Sequence, residues 1–403
     1  MRRYILSFIC LFCLSVFAFS QDHSSTESGC GDAHEGEFNP GATAFHHISD
    51  QNIYNIGPWS FPLPCFLYAP DQGWSIFSSG KFHPDHHGHG NGHNSVDGYV
   101  LIDGMVHRVM DRSFPNGNLE INNHGFHTTI MMDGKEKKVP AICYDDKLWA
   151  AEARSTADGG LFGGGVTSFF DFSITKNVLT MFIVFALLAW LFLHVAKKYK
   201  ERRGMAPKGA QSLIETMFIF IQDEVAKPFL GHHWEKYNPF LMSLFFFILG
   251  LNLFGQIPFF GGSNVTGNLA VTMVLAIITF IVVNINGNKH YWEHIFWMPG
   301  VPAWVKTILT PVEFLGIFIK PLTLMLRLFA NITAGHMVIV IFVGLIFMFG
   351  KGNWGPSLGT AVGSTLLTVF MMSIELLVAF IQAFVFTILT ASYIGAATEE
   401  AHH

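Results

Sequence analysis

The residues of this chain best suited to chemistry stand where charge is least welcome. The stretch PLTLMLRLFANITAGH, residues 321–336, sets Arg327 in the middle of an otherwise lipid-compatible run. On insertion scales an arginine at such a depth costs about 3 kcal/mol. At the angular step of a helix, Lys320, Thr323, Arg327, Asn331 and Ala334 share one face. Glu313 lies close to the same stripe, and His336 points to the opposite side. A second apolar run carries Glu375 and, seven residues later, Gln382, again on one face.

The two surfaces differ in what they can do. A guanidinium keeps its proton at any accessible pH, because its pKa exceeds about 12. It is useless as a proton carrier and well suited as a fixed positive charge. Imidazole and carboxylic acid are the opposite: both exchange protons, and their surroundings tune the exchange. Taken singly, Arg327 reads equally well as a structural ion pair to Glu313 or Glu375, and His336 as a satisfied core residue. Together, at these spacings on neighbouring helices, they favour a proton pathway. Lys320 has a second reading as an interfacial lysine whose ammonium snorkels to the surface. Glu224, His232, His233, His290 and His294 read as solvated loop groups.

The elements that must position these groups are membrane helices. Half of the 403 residues are hydrophobic and 13% are charged, against about 25% charged in soluble domains. The run NVLTMFIVFALLAWLFLHV from Asn177 supplies the ~20 residues of one crossing. It ends in KKYKERR, residues 197–203, a basic cluster that marks the cytoplasmic side. GAQSLIETMFIFIQDEVAKPF then reads as an amphipathic helix on the cytoplasmic surface. Residues 239–260 cross outward, with a break at Pro258 and Gly261–Gly262, and residues 269–285 return. Residues 302–349 and 358–397 are much longer than one perpendicular crossing requires, which predicts tilted helices packed against a protein partner. The expected fold class is therefore an all-α polytopic membrane protein of about five membrane-associated segments plus the surface helix. The net charge of -5 is small, and no basic patch fits a nucleic acid.

Residues 1–20 carry Arg2 and Arg3, a short apolar core and small residues Ala18 and Ser20. They read as a cleavable signal rather than a first membrane anchor. Residues 21–165 then form an exported segment, expected to be partly β-structured or disordered and closing in a flexible GGLFGGG at 159–165. GYVLIDGMVHRVMD and HTTIMMDGKEKKVPAICY alternate and contain D-G turns, as hairpin strands do. HPDHHGHGNGH, residues 83–93, reads as a loop with opportunistic metal affinity more readily than as a structural metal site. Cys30, Cys65 and Cys143 allow one disulfide with one thiol left over, and the sequence does not say which pair.

These residues closely resemble subunit a of the F-type ATP synthase, the membrane stator half of its proton motor. The resemblance rests on KPLTLMLRLFANITAGH, NLFGQIP (252–258), VTGNLAVT (265–272) and ELLVAFIQAFVFTILTASYIGAA (375–397), and covers roughly residues 170–400. Arg327 matches the family's essential arginine facing the ring of c subunits. Asn331 and Gln382 match polar positions near that contact, and Glu313 an acidic position on the same helix. His336 and Glu375 stand where some family members have the acid first and the histidine second, so the pair is exchanged. The resemblance implies two half-channels that load and unload protons on the c ring, in residues 166–403. It implies a c ring, a b-subunit peripheral stalk and a catalytic head as partners. It also implies a bacterial inner membrane, with the N-terminal segment periplasmic and the C-terminus cytoplasmic. No cofactor is implied, and no nucleotide-binding loop of the G-x-x-x-x-G-K-[ST] type is present, so catalysis is not expected of this chain alone. The long N-terminal segment has no counterpart in the resemblance. The rival from another class is a self-contained ion transporter or antiporter, which would carry paired repeats with broken helices.

Overall fold

The computed structural model describes residue 30 and residues 49–56, 59–84, 90–123, 126–132, 135–161, 165–257, 263–297, 302–349 and 354–399. The expected signal, residues 85–89 of the histidine-rich stretch, the break at Pro258 and the C-terminal histidines lie outside the described residues.

Residues 49–175 form an antiparallel β module. The D-G pair at 103–104 acts as the sequence suggests, and the one at 133–134 lies outside the described residues. Asp103 and Gly104 both take positive φ, 51° and 76°, and join strands Tyr99–Ile102 and Met105–Arg108 with Ile102 opposite Met105. A two-residue loop needs that handedness to match the twist of its strands. These two strands lie beside Asn94–Val96 and Asn118–Glu120 in one four-stranded sheet. Strands Pro64–Ala69, Gly73–Ser78 and Phe170–Asp171 form another sheet, and His127–Met132, Lys135–Tyr144 and Lys147–Ala150 a third. Cys65, Leu67, Phe82, Tyr99, Leu101 and Phe169 are fully buried between them. Arg108 is buried, donates to both carboxylate oxygens of Asp71 at 2.9 and 2.8 Å, and lies over the Tyr99 ring. Cys30 and Cys143 form the disulfide, and Cys65 is left as a free, buried thiol.

Past the glycine run the chain returns to this module, since Phe170 and Asp171 pair with Tyr68 and Leu67. Helix α1 (Lys176–Glu201) follows with hardly a break. Its first turn is held by the module: Gln51 accepts the Lys176 amide at 2.8 Å and the Asp50 carboxylate accepts the Asn177 amide at 3.1 Å. An acceptor here satisfies orphan amides and an anion complements the helix dipole.

Helix α2 (Ala210–Ile221) leads through a π-helical turn (Gln222–Ala226) and a short α3 (Lys227–Leu230) into α4 (Trp234–Gly255). Helix α4 is the buried post, with Leu241, Phe245, Ile248 and Leu251 in the core. Helix α5 (Leu269–Ile285) is capped by the Asn268 side chain and turns by 102° into α6 (Lys289–Trp297). The last two helices are α7 (Ala303–Phe349, 47 residues) and α8 (Trp354–Thr398, 45 residues). At 1.5 Å per residue each runs to about 70 Å, over twice the ~30 Å hydrocarbon thickness. Pro311 and Pro321 sit inside α7 without ending it, as prolines in membrane helices can where neighbours satisfy the freed groups. Among the described residues four helical runs are long and apolar enough to cross a membrane, or five if the bent pair α5–α6 counts as one span. The all-α membrane part and the β-structured N-terminal part are both present.

Helix α7 packs along α8 and α5, and α8 also packs on α4. Ala379, Ala383, Ala391 and Ala397 on the inner face of α8 are fully buried. Small residues there let helices approach closely where lipid offers no hydrophobic drive.

In the β module His107 is buried, with Nδ1 2.9 Å from the Glu152 carbonyl oxygen. Burial lowers its pKa below the usual 6.5, partly opposed by that carbonyl. The unfolded chain therefore takes up the proton first, and the stability present above pH 6.5 is lost as pH falls. Tryptophan fluorescence melts of the purified chain should show a melting temperature that drops on acidification below that value. The drop should be shallower in His107→Gln; equal slopes would acquit this histidine.

Candidate functional site

The arginine stripe faces outward from the chain. Arg327 is half-buried near the middle of α7, while Lys320, Thr323, Asn331 and Ala334 are exposed on its side. Thr323 donates to the Ile319 carbonyl at 2.8 Å, which ties its hydroxyl to its own helix. The Lys320 ammonium lies 5.6 Å from the centre of the Tyr393 ring on α8, and the charge of Arg327 also bears on that phenol. Lys320, Tyr393, Tyr291 and Asn284 line a small cavity between α5, α6, α7 and α8. Glu313 is half-buried farther back on α7. Among the described residues Arg327 has no ion pair, with Glu313, Glu375 or any other carboxylate.

On the opposite side of α7 the structure brings His336 and Glu375 together. The His336 Nδ1 lies 3.4 Å from Glu375 Oε1, with side chains only 15% and 5% exposed. A well-formed N–H···O bond is about 2.7–3.2 Å, and Oε1 has no hydrogen bond among the described residues. The two groups are in contact without being locked. Gln382 is buried two turns along the same inner face of α8. Glycine makes room for the contact: a Cβ at Gly335 would meet Glu375 Oε1 at 3.1 Å.

Side chains that periodicity alone did not single out hold α8 in register. Gln256 donates to the Glu375 carbonyl at 2.8 Å and Asn252 to the Ala379 carbonyl at 3.1 Å. Thr266 in turn donates to Asn252 Oδ1 at 2.7 Å. The signal was present as two amides four residues apart in an apolar run, which places both on one face. Thr333 on α7 donates to the Gly267 carbonyl at 3.3 Å and ties the same loop to the other long helix.

Comparison with known proteins decides what this arrangement belongs to. The model of the ATP synthase A chain family matches residues 178–395. The chain belongs to that family. It is 40% identical over 240 residues to the ATP synthase subunit a of Chloroherpeton thalassium, covering 58% of this chain and 69% of the relative. It is 37% identical over 265 residues to that of Myxococcus xanthus, covering 64% and 83%, and 36% identical to that of Anaeromyxobacter dehalogenans over 66% and 68%. Residues 43–149 match a separate domain of unknown function, DUF8433. The chain is thus a multi-pass membrane subunit of an ATP synthase, in the family of its proton-translocating subunit a. Among the described residues no three His, Cys, Asp or Glu side chains gather into a metal site.

The fit around Glu375 predicts a graded response in ATP-driven proton pumping. Gly335→Val places branched carbon against the carboxylate and should slow pumping about tenfold, the effect of disturbing one buried polar contact. Gly316→Ala on the same helix, where a Cβ meets nothing within 4 Å, should leave it unchanged. Equal activity in both variants would show that the Glu375 position is not critical.

Proposed function

We propose that this chain is the proton-conducting stator of an F-type ATP synthase, with two offset half-channels that meet a rotating c ring at Arg327. The observation that carries the reading is the free guanidinium. A half-buried cation midway along a lipid-compatible helix, with no carboxylate of its own among the described residues, calls for one from outside. A c-ring acid that has just lost its proton fits. Asn331 and Thr323 flank the cation on the same outward stripe, and the surrounding surface of Leu322, Leu326, Phe318 and Leu315 is exposed and apolar, as a ring contact requires.

Orientation follows from the basic cluster that ends α1, Lys197–Arg203, which belongs on the cytoplasmic side. The start of α1 and the β module then lie on the periplasmic side of an inner membrane. A proton enters from that side by way of His336, Glu375 and Gln382 and reaches a ring carboxylate. After rotation it leaves through a second path on the cytoplasmic side, for which the cavity of Lys320, Tyr393, Tyr291 and Asn284 is suited. Glu313, behind that cavity on α7, supplies an acid to the same outlet. Arg327 separates the two paths. One charge crossing ~100 mV yields about 2.3 kcal/mol, so a ring of many sites is needed to pool enough for ATP. The peripheral stalk and catalytic head complete the machine.

Arg327→Ala should abolish coupled ATP synthesis in membrane vesicles while the complex still co-purifies with its c ring. Vesicles that made ATP at the normal rate would refute the role. His336→Glu combined with Glu375→His should recover more synthesis than either single change, because the base and acid are restored to contact; equal losses in all three would deny that they act as a pair.

A further inference from the structure

The contact between the β module and the membrane helices is polar, buried and directed at His336. Lys176 and Asn177, the first residues of α1, are 3% and 2% exposed, and Thr180 one turn on is fully buried. Capping explains the backbone contacts of this turn, but not why the side chains of Lys176, Asn177 and Thr180 are polar and buried. Asp50 of the module organises the turn. Its Oδ1 accepts the Asn177 and Gln51 amides, each at 3.1 Å. Its Oδ2 accepts the Thr175 hydroxyl at 2.8 Å and lies 3.5 Å from the Arg154 guanidinium. The Lys176 ammonium sits in the field of this carboxylate.

From there polar groups continue inward. The Thr180 hydroxyl donates to the Lys176 carbonyl at 2.9 Å and lies 2.9 Å from Ser263 Oγ, whose proton it accepts. The Ser263 carbonyl and His336 Nε2 converge beside Gly255, where a Cβ would lie 2.8 Å from the first and 3.9 Å from the second. The charge of Lys176 bears on His336 directly. The imidazole thus has one nitrogen toward Glu375 and the other toward this file of side chains.

A second observation points to what fills it. Both Oδ1 and Nδ2 of Asn177, and Nδ2 of Asn264 next to Ser263, are buried with no protein partner among the described residues. Buried amides are almost always hydrogen-bonded, to protein or to water, and a bound water typically makes about three such bonds.

We propose that the β module forms the outer wall of the proton inlet, and that Asn177, Thr180, Ser263 and Asn264 hold the water that delivers protons to His336 Nε2. The proposal rests on the reading of His336 and Glu375 as the inlet. A hydronium at the inner end of the file gives a proton to Nε2 and becomes water. The Nδ1 proton passes to the Glu375 carboxylate, which becomes the neutral acid, and the imidazole remains uncharged. Asp50 is a positioning residue: it fixes the Asn177 backbone and balances the Lys176 charge, which would otherwise repel the incoming proton.

The test is passive proton uptake by membranes carrying the complete complex stripped of its catalytic head, driven by a potassium diffusion potential. Asn177→Leu, close in volume but without hydrogen bonds, should slow uptake about tenfold, and Asn177→Ser should keep most of it. Uptake at the normal rate in Asn177→Leu, with uptake lost in His336→Ala, overturns the inlet wall and leaves the site intact. Normal uptake in both variants instead removes the site reading beneath it. If Asn177→Leu fails to assemble with the ring, Asn177→Cys provides the answer. A small water-soluble thiosulfonate added from the module's side should label that cysteine and slow uptake. Failure to label it, while Met131→Cys on the module's exposed surface (71% exposed) is labelled, overturns the proposal.

Discussion

In hydrocarbon a polar group must find its partner inside the protein or do without, and doing without costs more than most single contacts return. That constraint arranges the membrane part of this chain. Many polar side chains at depth are held locally: Thr387 and Thr390 bond back to their own helix, and Asn252, Gln256 and Thr266 bond across to α8 and to each other. Arg327 stands apart. Its side chain is only half-buried and carries a charge that cannot be shed. Its helix presents small and polar neighbours, Ala330, Asn331 and Ala334, toward the outside rather than toward a carboxylate of the same chain. On the proposed reading, the exposed apolar surface around it is where a second protein completes the structure.

The opposite face of α7 solves a different problem. On the proposed reading His336 and Glu375 handle protons, and such a pair must be close enough to exchange and loose enough to let go. Gly335 provides the closeness, and the amides of Gln256 and Asn252 provide the registration, because they grip backbone carbonyls at Glu375 and Ala379. Anchoring the backbone leaves the Glu375 carboxylate itself free of a committed donor. A salt bridge to Arg327 would have stabilised the isolated chain more and disabled both groups.

Much of this could be read from residues alone, for identifiable reasons. Long apolar runs and the basic cluster after α1 declare membrane helices through hydropathy, which is a local property. The stripe of Lys320, Thr323, Arg327 and Asn331 follows from helical angle. D-G pairs announced the hairpin at Asp103–Gly104 because positive φ is local as well. What stayed hidden was non-local. The pairing of Cys30 with Cys143 and the capping of α1 by Asp50 join positions more than 100 residues apart. The glycine run looked like the end of the N-terminal segment, yet the chain folds back as strand Phe170–Asp171 before α1 begins. Strand pairing at that range has no periodic signature.

The placement of the two chemistries on one rigid helix constrains how a proton can travel. His336 lies nine residues beyond Arg327 on the far side of α7, a rise of about 13 Å. Leu324, Leu328 and Ile332 fill the helix contact between those faces and are buried to within a few per cent. No side chain can swing across such a gap, and no hydrogen-bonded file can run through packed leucine and isoleucine. For the proposed function, a proton delivered to the inner face has to pass the outward face on a carrier that belongs to another chain and moves with it. On the proposed reading that carrier is the ring carboxylate, and rotation is the route left open by a well-packed helix with a permanent charge on its outer side.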